Sequence, residues 1–250
     1  MTEHVRTETR GSVLHVELNR PEKKNALTVE MYQALAEALA TAEAEAGIRV
    51  VLISGAGDAF TAGNDLRDFL ERPPTGEDSP VHRFLESLIS ARVPIVAAVH
   101  RLAVGIGTTL LLHCDLVYAA RSARFHLPFT SLGLVPEAGS SLLLPQRIGY
   151  ARAAEMLLLG EPLAAADAFA AGLVSGVFDD GALQEEAWAR AERLAQLPPE
   201  SVRATKSLMR DAYRQTLPEQ MRREAAKFAE RLRSDEARNA MQRFFEGRGG

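Results

Sequence analysis

One cysteine, Cys114, stands in a chain of 250 residues, so no disulfide can close within it and a reducing compartment is the natural setting. No apolar run approaches transmembrane length. The first twenty residues, MTEHVRTETRGSVLHVELNR, carry charges throughout and lack the apolar segment of a signal peptide. The final RGG is not the SKL peroxisomal address. A cytoplasmic protein is the expectation. Positive charge is not in excess either: the net charge is −4, which excludes the broad basic footprint of a nucleic-acid binder. One anionic ligand on a local basic patch remains compatible with it.

Several catalytic signatures are missing. There is no Walker A segment, no G-x-S-x-G elbow and no HExxH. Gly55-Ala56-Gly57 and Gly105-Ile106-Gly107 each lack the third glycine of a dinucleotide fingerprint. Cys114 has His113 and Asp115 beside it, but adjacent strand residues face opposite ways, so the triplet is not expected to hold a metal. His113 reads as structural or merely exposed.

What is present is enough for one sizeable core: 46% of the residues are hydrophobic. His4–Arg10 and Ser12–Leu18 read as a hairpin about Gly11, and 19–25 as a polar loop. Thr28 is a good N-cap, and Met31, Leu35, Leu39 and Ala42 make a helical stripe that Gly47 should stop. Short apolar runs predict buried strands at 49–53, 93–99, 116–119 and 173–178. Helical patterns fall near 139–147, 150–158 and 164–171, and everything after Gly181 is helical, interrupted by Pro198-Pro199 and Pro218. The segment 72–80 (RPPTGEDSP) reads as a mobile surface loop. Strands alternating with helices, followed by helices alone, indicate an α/β core over 1–195 and a helical region over 196–250.

Two strand-to-glycine junctions are placed for chemistry: Ile53 through Gly63-Asn64-Asp65, and 97–99 through Gly105-Ile106-Gly107. Both put flexible backbone beyond the carboxyl end of a buried strand, where ligands bind in open α/β sheets. The second opens a helix and so offers free N–H groups. Aimed at one point, the two would form an oxyanion hole; equally, the glycines simply turn the chain. Glu137 lies between the apolar 132–135 and 142–144, surroundings that raise a carboxyl pKa toward a general base's range. A glutamate after proline is also an ordinary first-turn residue. Arg20, Lys23 and Lys24 form a basic loop that can grip phosphates or merely be solvated.

These segments resemble a known family. Asn19-Arg20-Pro21-Glu22-Lys23-Lys24-Asn25-Ala26-Leu27-Thr28 is similar to the CoA-binding loop of the crotonase (enoyl-CoA hydratase/isomerase) superfamily. Residues 55–66 resemble its first oxyanion segment. Residues 94–107, with Cys114-Asp115 and Ala123-Arg124-Phe125, resemble the second. The resemblance implies an α/β fold with a ββα-spiral core and a C-terminal helical trimerisation region, assembled as homotrimers or hexamers. It implies an acyl-CoA thioester as ligand, with no metal and no cofactor beyond the CoA carried by the substrate. Backbone N–H groups of Asn64 and Ile106 would be the oxyanion donors. Lys23, Lys24, Ala26, Ala62, Gly63, Asp65, Leu66 and Gly105 would line the CoA side.

Two departures point to a branch. The positions of a hydratase's two glutamates hold Thr109 and Phe129 here. Meanwhile Gly63-Asn64-Asp65-Leu66, Ala103-Val104-Gly105-Ile106, Thr109-Leu110-Leu111, Phe125-His126, Pro128-Phe129 and Pro136-Glu137 resemble the peroxisomal-type delta-3,delta-2-enoyl-CoA isomerases of fatty-acid β-oxidation. That branch implies Glu137 as the only base. Phe129 and Leu134 would line the acyl pocket, although as plain core residues they would look the same. The alternatives are an enoyl-CoA hydratase, another crotonase reaction, or an inactive domain that only binds acyl-CoA or a protein partner.

Overall fold

The computed structural model describes residues 2–72, 76, 78–213 and 215–247. Its strands are β1 (Val5–Arg10), β2 (Val13–Leu18), β3 (Val50–Gly55), β4 (Ile95–Val99), β5 (Leu102–Val104), β6 (Leu116–Ala120), β7 (Arg124–His126), β8 (Leu163–Ala164) and β9 (Gly176–Phe178). Its helices are α1 (Val29–Ala44), α2 (Leu66–Glu71), α3 (Pro80–Ser90), α4 (Ile106–Thr109), α5 (Ser140–Ile148), α6 (Tyr150–Ala154), α7 (Ala165–Ala171), α8 (Leu183–Ala195), α9 (Pro199–Arg210), α10 (Thr216–Leu232) and α11 (Asp235–Phe245).

The main sheet runs β1-β2-β3-β4-β6-β9; only β1 is antiparallel to its neighbour. Strands β3 and β4 are buried on both faces, which is why they read as unbroken apolar runs. The twofold alternation then divides their side chains. Val51, Ile53, Ile95, Ala97 and Val99 enter the large core beneath α1 and α3. Val50, Leu52, Val96 and Ala98 meet Leu183, Ala187 and Ala191 of α8 on the other face. No helix among the described residues is long and apolar enough to cross a membrane.

The hairpin, the Thr28 cap and three of the four expected buried strands fall where the sequence puts them; the Thr28 side chain accepts from Met31 N–H. Four corrections follow. Helix α1 ends at Ala44, because Glu45 turns extended (ψ 108) before Gly47 is reached. The strand expected over 173–178 shrinks to Gly176–Phe178, since Leu173 and Val174 N–H donate back to Ala168 at the end of α7. The helix expected over 150–158 is α6 followed by a π-type turn over Glu155–Leu159. Within 72–80, Arg72 caps the end of α2 and Ser79 caps the start of α3, while 73–75 and 77 lie outside the described residues.

The second sheet, β5-β7-β8, was not legible in the sequence. Strands of two or three residues are too short to carry a period. Yet this sheet places the second glycine junction, because β5 runs directly into Gly105.

Candidate active site

The first glycine junction lies against the second. Thr61 pairs with Ala103 as an added strand beside β5: its N–H donates to Leu102 O at 3.0 Å, and Val104 N–H donates to Thr61 O at 3.1 Å. On its other side Asn64 pairs with Leu27; Leu27 N–H donates to Gly63 O at 2.7 Å, and Asp65 N–H to Leu27 O at 2.9 Å. The approach needs glycine at two points. A Cβ on Gly63, which has φ +88°, would stand 2.7 Å from Val104 O and 3.9 Å from Gly105 N. A Cβ on Gly107 would overlap the Thr61 methyl. Asn64 and Ile106 are thereby brought side by side. No hydrogen bond among the described residues occupies the N–H of either, and Ile106 is the first residue of α4, where N–H groups are free by geometry.

Glu137 is tied to the same one-turn helix, α4. Thr109, the last residue of α4, donates its hydroxyl to Glu137 Oε1 at 2.5 Å. The carboxyl is thus fixed at the far end of the one-turn helix that Ile106 opens. Tyr32, buried on α1, donates its hydroxyl to Asn64 Oδ1. Burial raises the Tyr32 phenol well above its ordinary value, and the Glu137 charge raises it further. Burial likewise pushes the Glu137 carboxyl up to about 7; the Thr109 hydrogen bond opposes this and the Glu224 charge adds to it. The side chain keeps partial exposure, so the carboxyl is desolvated without being sealed off.

Among the remaining expected residues, Lys23 and Lys24 are exposed and make no ion pair among the described residues, beside the half-buried Ala26. Ala62 is tied to the same loop, its N–H donating to Lys24 O at 2.8 Å. Asp65 is engaged by the protein itself: it accepts from Arg20 at 2.8 Å and from Arg67 and Asp68 N–H as the cap of α2, with Leu66 next to it. Gly105 N–H donates to His126 O at 2.8 Å. Phe129 and Leu134 are both buried in the large core.

His113 is buried and structural, its Nε2–H donating to Ala138 O at 2.7 Å, and burial lowers its pKa to about 4. No group of three or more His, Cys, Asp or Glu among the described residues could hold a metal. A groove of about 740 Å³ lined by His15, His100, Arg101 and Trp188 lies on the α8 side; of the first glycine segment only Gly55, Ala56 and Gly57 border it, and none of the residues expected to bind substrate or do chemistry does.

Sequence reasoning missed Tyr32 and Glu224. Glu224, on α10, is 6% exposed and accepts from Gly139 N–H at 2.6 Å, from Ser141 N–H at 2.9 Å and from the Ser141 hydroxyl. In the sequence it is one acid on a charged helix, with no local signal that it turns inward. Tyr32 could have been found as an aromatic within the apolar stripe of α1, although a core role reads the same.

The family model described as enoyl-CoA hydratase/isomerase matches residues 8–249. Enoyl-CoA delta isomerase 2 of Rattus norvegicus is 39% identical over 240 residues, covering 94% of this chain; the chain spans only 61% of that relative's length. A probable enoyl-CoA hydratase of Rhodobacter capsulatus is 35% identical over 250 residues, covering 98% of this chain and 95% of its own. The crystal structure of an enoyl-CoA hydratase/isomerase from Pseudoalteromonas atlantica T6c has a TM-score of 0.94 at 46% identity, with 98% of each chain covered.

Proposed function

The chain belongs to the enoyl-CoA hydratase/isomerase family, and from that footing we propose that it is a delta-3,delta-2-enoyl-CoA isomerase with Glu137 as its one base. The observation that carries this is a single carboxyl, raised to about 7 and held by Thr109, beside two unoccupied backbone donors. Moving a double bond from C3–C4 to C2–C3 needs one proton shuttle. Glu137 takes the proton from C2, which the thioester acidifies, and returns it to C4. The dienolate between these steps carries its charge on the thioester oxygen, where the Asn64 and Ile106 N–H groups stabilise it. One such donor is worth about 10²–10³ in rate.

Hydration works in the opposite sense, needing a held water and proton transfer at two centres. Thr109 and Phe129, standing where a hydratase has carboxylates, do not supply that. Phe129 and Leu134 would bound the acyl chain and keep water from the dienolate. Lys23 and Lys24, free and exposed, would meet CoA phosphates, with Ala26, Ala62, Gly63, Leu66 and Gly105 along the pantetheine and Asp65 fixing the loop through Arg20. The reaction draws on no metal and no redox cofactor. A cytoplasmic homotrimer, or a pair of them, completes the reading.

The test mixes purified protein with 3-hexenoyl-CoA and follows the ultraviolet absorbance of the conjugated 2-enoyl product. Glu137→Gln keeps the shape and removes the base, so kcat should fall by roughly 10²–10⁴-fold. An unchanged kcat overturns the assignment. The hydratase-named relative favours a second reading, in which 2-enoyl-CoA loses its absorbance on water addition. Acyl-CoA binding with no turnover at any chain length would leave only a binding domain.

A further inference from the structure

Glu137 sits on an unusual turn. The two residues after it, Ala138 (φ +56°) and Gly139 (φ +73°), are both left-handed, and α5 begins immediately beyond them. An alanine in that region persists only where its surroundings hold it. Two side chains distant in sequence grip the turn. His113 donates to Ala138 O from the core side. Glu224 reaches across from α10 and takes Gly139 N–H on Oε2 and Ser141 N–H on Oε1. Gln220, one turn earlier on α10, donates to Ser141 Oγ at 2.8 Å and completes the clamp.

Resting on the reading of Glu137 as base, we propose that Glu224 is a positioning residue for the reaction, acting from α10 on the turn that carries the base. It satisfies N–H groups that the left-handed turn and the start of α5 would otherwise leave unpaired. It also places a second carboxylate close enough for its charge to be felt at Glu137. The groups facing Glu137 are Thr109 from α4, Tyr32 from α1 and Glu224 from α10. Those facing Glu224 are Gly139, Ser141 and Gln220. No cation among the described residues forms an ion pair with either carboxyl. Burial is the first cause that raises Glu137, and the Glu224 charge adds to it; Glu224 itself is raised by burial, against the hydrogen bonds it accepts from Ser141 and Gly139.

The deciding measurement is the pH profile of kcat/KM with 3-hexenoyl-CoA, which reports the free enzyme. In the wild type its acid limb should lie near pH 7. Glu224→Gln removes the charge and keeps one acceptor oxygen of two, so the acid limb should move to lower pH and kcat should fall by less than in Glu224→Ala. Glu224→Ala releases the turn, and kcat should fall by roughly 10- to 100-fold, the scale of a small misplacement of a reacting group. An undiminished kcat in Glu224→Ala overturns the positioning role; if the alanine variant does not fold, an undiminished kcat in Glu224→Gln, which gives up one of the two grips, overturns it instead. An acid limb unmoved in Glu224→Gln removes the electrostatic part. Glu137→Gln is the control. Full activity there removes the base itself, whereas a dead Glu137→Gln with undiminished Glu224 variants removes the positioning role alone.

Discussion

The Thr109 hydroxyl donates to Glu137 Oε1 and so holds the Glu137 pKa below what burial alone would give. Thr109→Val removes that donor at nearly constant volume. A hydrogen bond to a charged group is worth about 1.5–3 kcal/mol, roughly one to two pKa units. The Glu137 pKa should rise by that much, and kcat/KM at pH 7 should drop roughly 5- to 50-fold while the alkaline plateau survives; a pH–rate profile checks it. Stability has its own pH signature. Because the folded pKa of Glu137 is about 7 against an ordinary 4.5, its contribution is fully present below about pH 4.5 and is lost as pH rises through 7. Glu137→Gln lacks that loss. Its Tm should gain on the wild type between pH 5 and 8 and differ little below, as a thermal-melt series would show.

At the level of elements, the site exists because a strand-like loop and a one-turn helix touch through glycine. Gly63 is where that contact is tightest. Gly63→Ala meets a positive φ, which alone disfavours alanine by about 1–2 kcal/mol, and drives a Cβ against Val104 O. The loop must withdraw from β5, carrying Asn64 away from Ile106. Urea unfolding should register a loss of at least that size, and on the proposed mechanism kcat should fall more than KM rises, since the displaced amide would act on the dienolate rather than on the bound ester. Helix α5 is held in the same way: its start is completed by a carboxylate from another helix, so the turn that carries Glu137 depends on an element far away in sequence.

Across the whole molecule, the C-terminal helices are anchored to the core. Lys206 of α9, 6% exposed, donates to Val93 O at 2.8 Å and to Asp115 at 2.7 Å. Lys206→Met should destabilise the protein by about 1–3 kcal/mol, because Val93 O loses the Lys206 donor and Asp115 is left with Ile95 N–H and the more distant Arg210, and denaturant melts would measure it. Large apolar side chains remain uncovered, Leu208 and Met209 on α9 and Leu158 and Leu159 near α6 among them. Apolar groups that adjoin on a surface are candidates for a partner contact, and Leu208 with Met209, and Leu158 with Leu159, are neighbours in sequence. Light scattering should return about three or six times 27.2 kDa, and Leu208→Asp with Met209→Asp should lower that mass if α9 lies in the contact.

The sequence by itself determined what repeats or what glycine enforces: the hairpin, the buried strands, the capped α1, the two glycine junctions and a carboxyl in apolar surroundings. Each is a local signal, carried by side-chain alternation, a cap or backbone freedom. It also marked Thr109 and Phe129 as replacements, through resemblance and not through spacing. Tertiary structure alone decided that the two junctions meet, that Thr109 holds Glu137, that Tyr32 faces Asn64, and that Glu224 turns inward to the base's turn. Those pairings join residues 28 to 85 positions apart. No periodicity records which of two distant polar groups will be buried together. That is settled only when the short second sheet and α10 close over the site and bring distant donors to their acceptors.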